Sequence, residues 1–251
     1  MQTGTKYCQL IREPNRVKQL EFSEKCLQEN EQFDNVIYTD KCSVLLENHT
    51  KLSFHLKWEQ PKLKPKDPVK VHVWAGISKR GPTELMVFEG IMYVQFYVSE
   101  ILSNGLLPFI CRTFPDGHQF QQDNDLKHTN HLARNFMEDN GINWWKTPPE
   151  SPDLNPIKML WQELKHFLQN IAKPRTKEEL INGVERFSNQ RVDAEKCMKY
   201  MYIGHLHSLA NSCRAAGKSF RKLVPGCTLQ TLIKTASNKS HDQHCPIHVI
   251  P

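Results

Sequence analysis

The chemical interest of this 251-residue chain lies in two aspartates and one lysine. Asn35-Val36-Ile37-Tyr38-Thr39-Asp40 reads as an apolar, β-branched strand ending in a carboxylate, and Gln119-Phe120-Gln121-Gln122-Asp123 as a second short strand ending the same way. If the two strands lie side by side, Asp40 and Asp123 share one cleft. Two divalent ions between carboxylates so placed could activate a water and stabilise the leaving oxygen of a phosphodiester. A third ligand is then needed from elsewhere in the chain. The helix that could carry it is capped by Asn155 and opens at Pro156, so its third residue is Lys158.

That helix follows ordinary capping rules. Asn155 can accept from the first free backbone N–H groups, Pro156 suits the first helical position, and Ile157, Leu160, Trp161, Leu164 and Leu168 recur at helical spacing as a buried stripe. A glutamate at 158 would complete a capping box and face the positive end of the helix dipole. A lysine loses both, at about 0.3–1 kcal/mol if exposed. Glu163, five residues on and about 500° further round the helix, is a poor substitute.

The elements that must position these groups form a legible series. Residues 1–33 read as a lead-in helix with an imperfect apolar face (Val17, Leu20, Phe22, Cys26, Leu27). Strands are expected over Asp34–Asp40, Ser43–Leu46, Leu52–Leu56, Val69–Ile77 and Glu84–Phe88. In the fourth, alternation puts Val71 and Val73 on one face and Lys70, His72 and Trp74 on the other, with His72 a sheet-face residue. A helix is expected over Met92–Leu107, ended by Gly105 and Pro108, and another over Thr129–Asn140, stopped by Gly141. Ile142–Lys146 returns as a strand whose adjacent Trp144 and Trp145 face opposite ways. After the Asn155 helix, Thr176 and Glu179 supply a capping box for a helix carrying Leu180, Val184 and Phe187. Strands first, then strands alternating with helices, is the order of an α/β domain.

The blocks TDKCSVLLENHTKL, PVKVHVWAGISKRGPTELMVFEGIM, FPDGHQFQQDNDLKHT, NGINWWKTPPESPDLNPIKMLW and KPRTKEELINGVERFSNQRVDAEKCMKY, taken in this order, resemble the catalytic domain of Tc/mariner-type DDE transposases over roughly residues 6–205. The 34 residues between Asp123 and position 158 match the family spacing between its second Asp and its terminal Glu. The resemblance implies a ribonuclease-H-like α/β fold, a mixed central sheet flanked by helices. It also implies Asp40 and Asp123 as catalytic, metal-binding members of an Asp-Asp-Glu triad holding Mg²⁺ or Mn²⁺, with DNA as substrate. Three positions depart from the family: Lys158 replaces the third carboxylate, Lys41 stands where Glu is common, and Leu126 replaces a common Pro. The first departure leaves one net negative charge where the triad would carry three. Metal binding is expected to be weakened and catalysis impaired. Two alternatives stand beside that expectation: an active metal-dependent nicking transposase, and a non-enzymatic scaffold for other proteins.

Composition fits a nucleic-acid partner. The formal charge is +6, and Lys57, Lys62, Lys64, Lys66, Lys70, Lys79 and Arg80 concentrate much of it on a stretch held extended by Pro61, Pro65 and Pro68. Lys62, Lys64 and Lys66, with Lys127 and His128 just after Asp123, are the expected contacts to the DNA backbone. Eight scattered cysteines without a Cys-x-x-Cys pair, and no apolar run near the ~20 residues of a membrane span, give the expectation of a soluble, nuclear or cytoplasmic protein with reduced thiols. Three segments are expected: a lead-in at 1–33, the ribonuclease-H-like domain at 34–203, and a divergent, flexible tail at 204–251. Only 39 residues precede Asp40, too few for paired helix-turn-helix modules, so contact with DNA is expected to be mostly nonspecific. A homodimer, or association with a related transposase, is a further expectation. In the tail, His241, His244, Cys245 and His248, with Cys227 upstream, lack the paired spacing of a zinc site.

Overall fold

A computed structural model describes residues 11–29, 31–46, 68–151, 154–215 and 247–249. The strand expected at Leu52–Leu56, the cations Lys62, Lys64 and Lys66, and Cys227, His241, His244 and Cys245 lie outside these residues. The centre is a mixed six-stranded sheet: β1 (Val36–Leu45), β2 (Lys70–Ser78), β3 (Gly81–Pro82), β4 (Leu85–Phe88), β5 (Gln119–Gln121) and β6 (Ile247–Val249), in the order β5-β1-β2-β4-β6 with β3 paired to β2. β1, β2 and β4 form an antiparallel meander, while β5 joins β1 in parallel and β6 joins β4 in parallel. Beyond β5, Phe120 and Trp144 make one further parallel bridge, so the expected strand at Ile142–Lys146 contributes a single rung. This is the ribonuclease-H-like α/β arrangement, with helices on both faces.

Period-two alternation divides the core into two layers. On one face, Val36, Tyr38, Cys42 and Val44 of β1 and Val71, Val73, Ala75 and Ile77 of β2 pack under α6 (Ile157–Phe167), α7 (Lys177–Arg191) and α8 (Ala194–Ala215). On the other, Ile37, Trp74, Met86, Phe88 and Phe120 pack under a long helix at 94–113 and α5 (His131–Asp139). The split of valines from Trp74 in β2 follows the alternation. His72 sits on the second face with its Nδ1 2.8 Å from Ser43 Oγ and its ring beside Phe88. The adjacent tryptophans also part, Trp144 to the second layer and Trp145 to the first.

Two expectations fail for physical reasons. The strands expected at Asp34–Asp40 and Ser43–Leu46 are one strand, because Asp40 and Lys41 pair across to Ala75 and Trp74 and leave no turn between them. Gly105 and Pro108 do not end a helix. The chain runs from α2 (Val94–Phe96) through a π-helical stretch (Tyr97–Leu106) into α3 (Leu107–Thr113), where Pro108 opens a new α turn and its missing N–H is no loss. Gly105 is there for proximity: a Cβ on it would stand 2.4 Å from Met86 Sδ of the sheet beneath.

The first layer includes the lead-in, since α1 (Glu13–Gln28) packs against α8. The boundary expected at Gly204 falls inside α8, and Ile247–Val249, carrying His248, add β6 to the sheet edge. Gly204 is itself a contact point, because a Cβ there would lie 2.7 Å from Pro156 Cβ at the start of α6. Among the described residues no helix is long and apolar enough to cross a membrane, and Cys26, Cys42, Cys111 and Cys197 form no disulfide.

Candidate functional site

Asp40 is in the middle of β1 and not at its tip, and it reaches a cleft because its neighbour is short. β5 stops at Gln121, so the flank of β1 beyond Tyr38 is uncovered on that side. Asp40 shares its face with Tyr38 and Cys42, the face that α6 crosses. The parallel register Val36↔Gln119, Ile37↔Phe120, Tyr38↔Gln121 runs the two strands in the same direction, with Asp40 and Asp123 each two residues beyond the last paired position. Lys41, one residue on, alternates to the opposite face, where its charge helps lower the pKa of His72 after the larger effect of burial. The departure at position 41 is therefore outside the Asp40 pocket.

The start of α6 is tied to β1 by Asn155. Its side-chain oxygen accepts from the Ile157 N–H at 3.3 Å, and its amide donates to the carbonyl of Thr39 at 3.1 Å. Thr39 Oγ1 in turn donates to the Gln121 carbonyl at 3.0 Å, linking α6, β1 and β5 through buried groups. Asn155 receives the Ile157 N–H as expected from sequence, but the helix starts one residue later than expected, with Pro156 at the N-cap position and Lys158 as its second residue; the bond to Thr39 had no local signal.

This anchorage brings position 158 onto Asp40. The Lys158 ammonium lies 3.0 Å from Asp40 Oδ2, and the Trp161 indole N–H donates to the same oxygen at 3.2 Å. Asp40 is 13% exposed and Lys158 47%, so the ammonium stands between the carboxylate and solvent. Trp161 was expected only as part of the buried stripe; its spacing one turn beyond Lys158 is the signal for its polar contact. Glu163 is engaged elsewhere, held by Lys196 at 2.7 Å and by the Tyr200 hydroxyl.

The segment after β5 carries the second aspartate. His128 Nδ1 is 2.5 Å from Asp123 Oδ1, and the His128 ring lies 4.4 Å from that of Tyr97, whose hydroxyl donates to Gln122. Desolvation raises the Asp123 pKa, but the hydrogen bond and charge of His128 outweigh it, and the net shift is downward. Asp125 caps α4 (Leu126–Thr129) and pairs with the ammonium of Lys127. Of the residues expected at the DNA backbone, Lys127 and His128 are thus engaged by local carboxylates. Leu126, at the first position of α4, is 86% exposed, which explains why a residue other than proline is tolerated there.

Among the described residues no group of three or more His, Cys, Asp and Glu side chains could hold a metal ion. Asp40 faces an ammonium where a third carboxylate is needed, and Glu163 is already bound. The donor set does not fit a two-metal centre.

The pair around Glu163 gives a pH test of α6–α8 packing. Burial raises the Glu163 pKa, but its bonds to Lys196 and Tyr200 prevail and hold it below the ordinary 4.5. A depressed folded pKa contributes stability that is complete above the unfolded value and is lost as pH falls through the folded one. Glu163→Gln is expected to flatten the fall of urea-unfolding stability between about pH 5 and 3 relative to the parent protein. Parallel curves for the two proteins would remove the pairing.

Comparison with known proteins agrees with this geometry. A family model described as DDE superfamily endonuclease matches residues 35–181. The Tc1 transposase of Caenorhabditis elegans is 34% identical over 58% of this chain and 50% of its own length, and the Tcb1 transposase of Caenorhabditis briggsae is 35% identical over 40% and 37%. The matched part thus spans half or less of each of these relatives. The crystal structure of the Mos1 mariner paired end complex with Mn has a TM-score of 0.65 at 16% identity, covering 88% of this chain and 68% of that one, and shares the fold.

Proposed function

The chain belongs to the DDE superfamily endonucleases, and from that premise we propose that it is a transposase-derived, DNA-binding domain whose metal-dependent chemistry is disabled at Lys158. The observation that carries the proposal is the ion pair of Lys158 with Asp40. In a transposase triad, Asp40, Asp123 and a third carboxylate would hold Mg²⁺ or Mn²⁺, and the metal would supply an activated water and charge neutralisation at a phosphodiester. Here a fixed cation already neutralises Asp40. At an effective dielectric near 20 and over several ångströms, the half-exposed ammonium repels a divalent ion by about 2–4 kcal/mol. Asp123, with His128 on its Oδ1, is not enough alone.

DNA remains the expected partner. The relatives are transposases of transposable elements, and the formal charge of +6 favours a polyanion. Lys62, Lys64 and Lys66 are the residues proposed to follow the phosphate backbone, whereas Lys127 and His128 must first leave Asp125 and Asp123. Binding is expected to be insensitive to sequence, to weaken steeply with salt and to be unchanged by EDTA.

The test combines DNA-binding anisotropy with plasmid nicking in Mg²⁺ or Mn²⁺. Binding without nicking is the expected result. Reproducible turnover that Asp123→Asn abolishes would establish the active alternative and overturn the impairment.

A further inference from the structure

On the face of the sheet away from Asp40, a serine and a histidine pair across two strands and play no part in the metal site. The register Ser43↔His72 puts both side chains on the face that also carries Lys41, Lys70 and Trp74. Ser43 Oγ is 2.8 Å from His72 Nδ1. Ser43 is exposed, while His72 is only 8% exposed. A serine becomes a nucleophile when a base lies within hydrogen-bond reach and a third group holds that base in one tautomer.

The third group here is the backbone at Gly90. Its bond to His72 favours the protonated ring, as a carbonyl accepting from a ring N–H does. With Nδ1 turned to Ser43, that N–H falls on Nε2, and the Nδ1 lone pair is left for the hydroxyl. Burial, then the ammoniums of Lys41 and Lys70, hold the ring below its ordinary 6.5, so at pH 7 it is neutral and able to take a proton. Those lysines, on β1 and β2, are the charged groups near it; β4 presents Phe88, and the helix at 94–113 presents Phe96 against Phe88. The space in front of the pair is open. A Cβ on Gly90 would meet nothing within 4 Å, and Leu45 and Ile91 are 42% and 70% exposed.

We propose that Ser43 is a nucleophile activated by His72, and that this face of the sheet hydrolyses carboxylic esters with small acyl groups. Neither the Asp40 cleft nor bound DNA takes part. An ester fits because its carbonyl oxygen becomes an oxyanion that the Lys41 and Lys70 ammoniums can stabilise, and its alcohol leaves with a single proton from His72. Leu45 and Ile91 offer apolar surface to the acyl group.

The reaction needs only water. As Ser43 Oγ adds to the carbonyl carbon, its proton passes to His72 Nδ1 and the carbonyl π pair moves onto oxygen. That pair returns, the C–O bond to the alcohol breaks, and His72 gives the departing oxygen its proton. Water then adds to the acyl-serine and loses a proton to His72. Collapse releases the carboxylic acid, and the proton returns to Ser43.

The experiment treats the full chain, in EDTA, with a fluorophosphonate probe and maps the labelled peptide, and it follows hydrolysis of p-nitrophenyl acetate beyond one equivalent. The label is expected on Ser43, whose oxygen displaces fluoride. Ser43→Ala removes only an exposed hydroxyl and should abolish the label and cut turnover about 10²-fold while the melt is unchanged. His72→Gln should slow labelling about 10²-fold. In the parent protein the labelling rate should rise with pH to a midpoint below 6.5 and stay flat above it, because the base is competent only when neutral.

Absence of label on Ser43, or turnover undiminished in Ser43→Ala, overturns the proposal. A label on Ser43 whose rate ignores both pH and His72→Gln removes His72 as the base and overturns the assigned pair. Should His72→Gln fail to melt cooperatively, the pH profile of the parent decides alone.

Discussion

Lys158→Glu is expected to convert a protein indifferent to Mn²⁺ into one that Mn²⁺ stabilises. In EDTA the variant loses the ion pair to Asp40 and sets two carboxylates against each other beneath α6. Because Lys158 is half exposed the lost attraction is modest, and the cost is about 1–2 kcal/mol. Added metal reverses the sign. At a free ion concentration of one hundred times Kd, binding to the folded state alone contributes about 2.7 kcal/mol, more than the deficit. Thermal melts of both proteins in EDTA and in Mn²⁺ report this directly. A crossing is expected, with the parent more stable in EDTA and the variant gaining only in metal. Nicking should follow the same pattern, rising about 10²-fold over the parent and falling again on Asp123→Asn. A variant whose melt is unmoved by Mn²⁺ would show that position 158 does not share a metal site with Asp40 and Asp123. Lys41→Glu adds little, since residue 41 alternates to the other face of β1.

The parts of this site visible from sequence are those set by local rules. Asn155 could be read as a cap because the backbone N–H that donates to its side-chain oxygen follows at once, and the distance from Asp123 to Lys158 is a count along the chain. The valine alternation in β2 is likewise local, and it assigned the two faces of the sheet correctly. What failed depends on partners distant in sequence. Asp40-Lys41 looks like a polar stop, yet the ladder to Ala75 and Trp74 carries β1 through it. Gly105 looks like a helix terminator, yet its role is set by Met86 on a strand some twenty residues earlier. The indole of Trp161 belongs to an apolar stripe by spacing and to Asp40 by a hydrogen bond that only the packing of α6 across β1 creates. Sequence supplied the identity and order of the site residues. The fold supplied the contacts that decide their chemistry.

Asn155 has the next largest expected effect, because one small side chain serves two buried bonds. Asn155→Ala removes the cap on the Ile157 N–H and leaves the Thr39 carbonyl without its donor. A lost cap costs about 1 kcal/mol and an unpaired buried carbonyl about 1–3 kcal/mol, so stability in urea should fall by roughly 2–4 kcal/mol. Asn155→Asp separates the two roles. An aspartate still caps α6 but turns a carboxylate oxygen toward the Thr39 carbonyl, so it should cost nearly as much as alanine despite being the better capping residue in isolation. If aspartate were neutral, the Thr39 bond would contribute nothing and Asn155 would be a cap only. The consequence reaches the site itself. With the Thr39 tie broken, the first turn of α6 is no longer held over β1, and Lys158 and Trp161 lose their fixed approach to Asp40. In the Lys158→Glu background, Asn155→Asp should therefore weaken Mn²⁺ stabilisation by more than its own effect on the melt in EDTA. Additivity of the two changes would place the anchorage and the pocket in independent parts of the fold.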